Sequence, residues 1–123
     1  MSEKNLLSVK NNGSLGKIEI APEVIETIAG LAVTEVEGIS TMRGTFTERF
    51  SKKSPSQGVK VELVNGSVVV DLYVVVKYGH TIPKVANEIQ TNVKQTLKNM
   101  VDLDVKEVNV HIVDLEMETE EKT

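Results

Sequence analysis

The fold of this chain is decided by residues 59–84, which read VKVELVNGSVVVDLYVVVKYGHTIPK. Asn65-Gly66 is the strongest short signal for a two-residue hairpin turn, since both turn positions need a positive φ. A turn there fixes every pair of the hairpin. On one side of the hairpin the paired residues are all apolar, namely Leu63 with Val68, Val61 with Val70, and Val59 with Leu72. The other side pairs Lys60 with Asp71, which predicts an opposite-charge contact.

A long helix and a final strand follow the hairpin. The second hairpin strand ends at Gly79, and Thr81-Ile82-Pro83 begins the helix, because proline is favoured in a first helical turn. Residues 108–112 then alternate between apolar and polar side chains, which is typical of a half-buried strand. One apolar stripe recurs at helical spacing between them: Ile82, Val85, Ala86, Ile89, Val93, Leu97 and Met100.

The residues before the hairpin repeat this pattern in a shorter form. Ile18 and Ile20 alternate with charged residues and predict a short strand. Pro22 begins a helix whose first turn carries Glu23 against the positive end of the helix dipole. Gly38 is the predicted end of that helix.

The predicted order is therefore β-α-β-β-α-β. Right-handed strand–helix–strand crossovers place both helices on the same side of the sheet. We expect an α+β two-layer sandwich, in which a four-stranded antiparallel sheet carries two helices on one face, the ferredoxin-like arrangement. The other face of this sheet is left open.

Length and composition point to a single domain in a reducing compartment. The chain has 123 residues, no cysteine and a formal net charge of −4, which disfavours broad electrostatic binding to nucleic acid. Charges interrupt every apolar run well short of a membrane span. We predict a flexible N-terminal arm over residues 1–14, one domain over 15–115 and an acidic disordered tail over 116–123.

Residues 38–58 form a long, basic loop insertion in this domain. The loop carries four Lys or Arg against one Glu, and it holds both phenylalanines of the chain. Phenylalanine flanked by cations suits a protein-binding hot spot or an anionic surface. The alternative is that the two rings pack on the edge of the core while the cations are merely solvated. The candidate partner-binding residues here are Arg43, Phe46, Arg49, Phe50, Lys52 and Lys53.

A second candidate surface lies on the open face of the sheet. Val69, Tyr73 and Val75 interrupt an otherwise charged face and form a modest apolar patch, which suits a homo-oligomer or another protein partner. Open sheets of this kind also bind single-stranded RNA by stacking bases on several aromatic rings. Tyr73 is the one aromatic residue in the central strand, so RNA binding has little support.

Catalytic and metal-binding patterns are weak throughout the sequence. His80 falls in a strand–helix turn, and His111 is expected on the open face; neither has ligand-type neighbours at the spacing of a metal site. Gly79-His80-Thr81 can offer N–H groups to an anion, although a simple helix cap by Thr81 explains it better. Asp102 and Asp104 are typical turn residues. We predict no enzyme activity, no cofactor and no metal.

The ordered set of short motifs resembles the bacterial alkaline-shock, or envelope stress response, protein family. The resemblance lies in residues 18–44 and 70–113, through Ile20-Ala21-Pro22-Glu23-Val24-Ile25, Val36-Glu37-Gly38-Ile39, Tyr78-Gly79, Ile82-Pro83 and Val108-Asn109-Val110. It implies a small, cytoplasmic, non-enzymatic protein that in some cases is held at the membrane by a separate anchoring partner.

One subgroup of that family is similar in a further respect, through Met42-Arg43-Gly44 and Glu48-Arg49-Phe50. This resemblance implies a link to acetyl-CoA carboxylase and fatty-acid synthesis. We therefore expect an interaction module of cell-envelope or fatty-acid-synthesis homeostasis, which partners a protein and forms a homo-oligomer. A nucleic-acid-binding domain and a metabolite sensor are the alternatives.

Overall fold

The computed structural model describes residues 7–8, 15–42 and 58–117. Two helices and six strands lie within these ranges. They are β1 (Leu7–Ser8), β2 (Glu19–Ile20), α1 (Pro22–Thr34), β3 (Ile39–Met42), β4 (Val59–Val64), β5 (Ser67–Lys77), α2 (Ile82–Val101) and β6 (Val105–Glu116).

Strand β5 is the centre of a four-stranded sheet. The hairpin partner β4 covers the first half of one edge of β5, and β3 continues along the second half of the same edge, both antiparallel to β5. Strand β6 lies along the other edge, parallel to β5. At eleven residues, β5 is long enough for two short strands to follow each other along one side.

The predicted α+β architecture of four strands with two helices on one face is confirmed. The hairpin is confirmed pair for pair, from Val64 opposite Ser67 to Val59 opposite Leu72. Asn65 and Gly66 have φ of 53° and 80°, the left-handed pair that this turn needs.

The strand pairing departs from the fully antiparallel expectation at β6. Helix α2 crosses over from β5 to the adjacent strand, and a strand–helix–strand unit of neighbouring strands is parallel. The strand expected around Ile18–Ile20 is reduced to β2, which pairs with β1 rather than with the main sheet. The fourth strand of the sheet is instead β3, which lies inside the predicted loop over residues 38–58. Leu7–Ser8 of β1 lies inside the predicted N-terminal arm.

The core lies between the helices and one face of β5. Alternate residues of β5 are fully buried under the helices, and α2 contributes the stripe of Val85, Ile89, Val93, Leu97 and Val101. Helix α1 adds Ile25, Ala29, Ala32 and Val33. Burial of this aliphatic surface is the main favourable term in folding.

Several residues at the ends of the elements are more exposed than their periodicity predicts. Met100 and Leu63, both on predicted apolar faces, are 63% and 55% exposed among the described residues. Tyr78 continues the alternation of Val74 and Val76, which predicts burial, but it follows Lys77, where β5 ends, and is 62% exposed. Helix α1 ends at Thr34, ahead of the predicted stop at Gly38.

Neither α1 nor α2, the helices of the described part of the chain, is both long and apolar enough to cross a bilayer.

Candidate functional site

The open face of the sheet is built by the alternation of β5. Val68, Val70, Leu72, Val74 and Val76 point into the core, so the residues between them point to the open face. Val69, Tyr73 and Val75 are all half-buried there. The structure therefore places these three predicted residues on one surface, although what that surface binds stays a prediction.

Tyr73 and His111 form the centre of this face. Parallel pairing sets Tyr73 of β5 opposite His111 of β6. Their rings stack with centroids 4.5 Å apart and planes 14° from parallel. Because Tyr73 lies in the central strand and His111 in the strand paired with it, neither ring is free to move far without breaking the stack.

Asp71 holds the histidine from the side. Its Oδ1 lies 3.1 Å from His111 Nε2 and accepts a hydrogen bond from Asn109 Nδ2 at 3.2 Å. The Asp71 side chain is 18% exposed and that of His111 is 42% exposed. The carboxylate is thus satisfied beneath a histidine that still reaches solvent. We call Asp71, Tyr73, Asn109 and His111 the open-face cluster.

The predicted contact between Lys60 and Asp71 is not the ion pair that forms. The two residues are opposite each other, as expected, but Lys60 Nζ lies 3.4 Å from Glu62 Oε2 on its own strand. Asp71 is instead engaged from β6 by His111 and Asn109. An exposed lysine gains little from either carboxylate, so the more buried polar contacts decide the arrangement.

The open face is acidic around the cluster. The register of β4, β5 and β6 places two lysines on this face, Lys60 and Lys77. It also places five carboxylates there: Glu62, Asp71, Glu107, Asp114 and Glu116. A face of this kind is complementary to cations at its rim and to an apolar or aromatic group at its centre.

The six basic-loop candidates lie outside the described residues: Arg43, Phe46, Arg49, Phe50, Lys52 and Lys53. The two ends of that segment are described. Met42 pairs with Val74 of β5, and Tyr73 donates its backbone N–H to the Gly58 carbonyl at 2.9 Å. The two described ends of this segment therefore lie on β5 beside Tyr73.

A separate polar groove lies where α1 ends beside α2. It encloses about 460 Å³ and is lined by Glu35, Val36, Glu37, Asn87, Glu88, Thr91 and Asn92. Asn92 Nδ2 donates to the Ala32 carbonyl at 2.8 Å and to Glu35 Oε1 at 3.2 Å, which ties the two helices together. Asn92 and Glu35 of this groove therefore serve to hold the two helices together.

The remaining polar candidates also have structural partners. Lys98 Nζ lies 3.0 Å from Asp102 and 3.3 Å from Asp104, and these two carboxylates raise the pKa of Lys98. The expected side-chain cap by Thr81 does not form within the described residues; its carbonyl instead accepts from Lys84 and Val85. Among the described residues, no three His, Cys, Asp or Glu side chains come together as metal ligands.

Sequence reasoning missed the role of His111. It placed the ring on the open face, but the stack with Tyr73 and the bond to Asp71 depend on the parallel register of two strands separated by α2. The signal that was available is the shared spacing: Asp71 and Tyr73 are two apart, and so are Asn109 and His111.

Together, the fold and this surface define a small α+β domain whose most distinctive feature is an open, aromatic-centred sheet face. The chain belongs to the alkaline shock protein 23 family, described as having a cell envelope-related function, whose family model matches residues 10–117.

The similarity to relatives extends over most of the chain. It is 47% identical over 124 residues to the uncharacterized protein YqhY of Bacillus subtilis strain 168, covering 97% of this chain and 92% of that protein. It is 37% identical over 105 residues to a stress response regulator gls24 homolog of Streptococcus pyogenes serotype M3, covering 81% of this chain and 59% of the relative. Among solved structures, a variant of MamM-CTD is similar with a TM-score of 0.48 at 14% identity, covering 76% of this chain and 98% of that one.

Proposed function

We propose that this chain is a non-enzymatic interaction module of cell-envelope homeostasis, and that it binds a protein partner through the open face of its sheet. The observation that supports this most strongly is the Tyr73–His111 stack, held by Asp71 and half-exposed between Val69 and Val75.

The physical reason is preorganisation. Binding energy at protein interfaces concentrates in aromatic anchors surrounded by a rim that excludes water. Ordering a mobile side chain on binding costs about 0.5–1.5 kcal/mol. The stack between Tyr73 and His111 already fixes both rings on regular strands, so a partner that lies over them avoids most of that cost.

The basic loop is the second element of the proposed surface. Its described ends flank Tyr73, and its candidate contact residues include four cations, Arg43, Arg49, Lys52 and Lys53. A partner that spans both would meet cations on the loop and carboxylates on the sheet. Opposite charges on the two parts of the surface fix the orientation of the bound partner more than they raise its affinity.

The partner that we propose is acetyl-CoA carboxylase, through one of its subunits, with a membrane-anchored protein as the second possibility. The support is the resemblance of Met42-Arg43-Gly44 and Glu48-Arg49-Phe50 to the subgroup linked to that enzyme. In this proposal the chain acts in the cytoplasm and reaches the membrane through a partner. The stress-response name of the streptococcal relatives fits a regulatory role of this kind.

Binding to purified carboxylase subunits tests the proposal. We compare the parent chain, an open-face variant (Tyr73→Ala with His111→Ala) and a loop variant (Arg43→Ala, Arg49→Ala and Phe50→Ala). Lys94→Ala on the exposed side of α2 is the control. We expect both sets of substitutions to weaken binding at least tenfold and the control to leave it unchanged. Equal binding by all four chains would contradict the proposal, and binding to no subunit would remove carboxylase from it.

Nucleic-acid binding is the second candidate, because stacked rings on an open sheet can receive a base. The five carboxylates on the same face disfavour a phosphate backbone. A gel-shift with single-stranded RNA at low salt decides the matter, since genuine binding appears there first and falls steeply as salt is added.

A further inference from the structure

Strand β6 forms one edge of the sheet and is the longest strand in the described part of the chain, at 12 residues. β5 pairs with its inner side; in residues 7–8, 15–42 and 58–117 no strand pairs with its outer side. The opposite edge of β5 is covered twice, by β3 and β4. A long edge strand with free backbone groups is a template for pairing with another chain.

The backbone directions of β6 follow from its neighbours. Tyr73 donates its N–H to Gly58 on the β4 side, so the alternate residues Val70 and Leu72 direct their backbone groups towards β6. Because Val70 pairs with Val108 in parallel, the backbone groups of Val70 bond to those of Glu107 and Asn109, the residues on either side of Val108. Val108, Val110 and Ile112 therefore direct their own N–H and C=O groups outward.

A hydrogen bond from Gln90 supports the outward direction of the Val108 carbonyl. Gln90 Nε2 of α2 donates to the Val108 carbonyl at 3.0 Å, which shows that this oxygen is accessible outside the ladder. A carbonyl has two lone pairs, so Val108 can accept a second hydrogen bond without losing Gln90.

The side chains of β6 that share the helix-covered face are symmetric about Val110. Val105, Val108, Val110, Ile112 and Leu115 are the residues paired with the core-facing positions of β5. Reversing the strand about Val110 maps this group onto itself. The two irregularities in the ladder, at Lys106 and at Val113, do not share this symmetry, because the reversal maps Lys106 onto Asp114 and Val113 onto Glu107.

We propose that a second copy of this chain pairs with the outer edge of β6, antiparallel and centred on Val110. This register sets the apolar residues of the helix-covered face against one another and Lys106 against Asp114, whereas Glu107 faces Val113. The facing pairs are Val105 with Leu115, Lys106 with Asp114, Glu107 with Val113, Val108 with Ile112, Asn109 with His111, and Val110 with Val110.

Three observations favour a second copy over an unrelated strand. The pattern is self-complementary, which a two-fold interface requires. Lys106 meets Asp114 twice, once in each direction. The pairing also covers side chains that are exposed in one copy, since Val113 and Leu115 are both 40% exposed.

The pairing changes the candidate surface as well. Asn109 of the second copy lies against His111, so the two open-face clusters become neighbours on one continuous eight-stranded sheet. The surface offered to a partner is thereby doubled. This inference does not depend on which partner the open face binds.

Cysteine pairing between two different variants tests the register. The chain has no cysteine, so Asn109→Cys and His111→Cys each introduce a single thiol. In the proposed register, positions 109 and 111 form a non-hydrogen-bonded pair with Cα atoms about 4.5 Å apart. That distance lies within the range of a disulfide, about 4.4–6.8 Å.

We expect oxidation of the mixed variants to give a covalent dimer in high yield, and oxidation of either variant alone to give little. Equal yield from His111→Cys alone would overturn the register. No covalent dimer in the mixture, with both chains folded by circular dichroism, would overturn the pairing.

Light scattering on the full chain supplies a second, independent test. The parent chain is expected at twice its 13.5 kDa mass. Val110→Pro removes an outward donor that the fold itself does not use and should give a folded monomer. Lys106→Glu and Asp114→Lys should each weaken the dimer about tenfold, and their combination should restore it. A monomeric parent chain, or a double variant as weak as the single ones, would contradict the proposal.

Discussion

Tyr73 and His111 stack across two parallel strands, with ring centroids 4.5 Å apart. They are brought together by the crossover through α2, which sets β6 beside β5 in parallel register. Asp71 lies two residues before Tyr73 on the same face and binds the histidine ring at 3.1 Å. The centre of the open face is therefore a product of the same strand pairing that closes the fold.

This stack should contribute to stability as a coupled pair. Aromatic pairs contribute about 0.5–1.5 kcal/mol beyond their burial. We expect Tyr73→Ala and His111→Ala to show a coupling of this size in a double-mutant cycle, measured by urea unfolding. Strictly additive losses would mean that the rings are neighbours without a mutual interaction.

Gly38 and Gly79 allow backbone strain to be separated from packing. Their φ angles are 101° and 102°, so alanine is strained at both, by about 1–2 kcal/mol. A Cβ at Gly38 would lie 3.1 Å from His80 and from Val85, whereas one at Gly79 meets nothing within 4 Å among the described residues.

We therefore expect Gly38→Ala to lower the free energy of unfolding by about 1 kcal/mol more than Gly79→Ala does. Chemical denaturation of the two variants side by side measures the difference. Equal losses would show that His80 and Val85 move aside without cost.

Leu97 and Met100 share one apolar stripe in the sequence, but the structure separates them. Leu97 is fully buried and Met100 is 63% exposed. Leu97→Ala should cost about 2–5 kcal/mol, and Met100→Ala about 0.5 kcal/mol or less. A large loss at Met100 in thermal unfolding would indicate that a second chain, or a part of this chain outside the described residues, covers that end of α2.

The hairpin could be predicted to the residue because its determinants are local. Asn65-Gly66 fixes the turn, and period-two alternation fixes the buried side. The neighbour of β6 could not be predicted in this way, since nothing near residues 105–116 specifies whether that strand lies directly beside β5. Once it does, the crossover through α2 makes the two strands parallel.

The candidate site was likewise predictable only where local sequence determines it. Alternation alone placed Val69, Tyr73 and Val75 on the open face. The contacts of Asp71 with His111 and Asn109 required the register of strands about 40 residues apart, which the periodicity of neither strand contains. The function of the basic loop stays a prediction from its composition and its resemblance.

Glu26 gives the fold a predictable pH dependence. Burial, together with the nearby charge of Glu23, raises the pKa of Glu26. Because the folded state then holds this proton more tightly than the unfolded state does, stability falls as pH rises from the ordinary glutamate value through the raised one.

Glu26→Gln should therefore stabilise the fold at pH 7, by roughly a few tenths of a kcal/mol for a group this exposed, and should have little effect near pH 4. Urea unfolding at both values measures it. A gain of the same size at pH 4 would assign the effect to something other than ionisation.

The proposed partner surface is tested most directly by site-specific photo-crosslinking in living cells. A photoreactive phenylalanine analogue replaces Tyr73 in one strain and Lys94, on the exposed side of α2, in another. We predict that the probe at Tyr73 captures a defined protein other than this chain and that the probe at Lys94 does not. No cross-linked protein from Tyr73, or the same protein captured equally from both positions, would contradict the account.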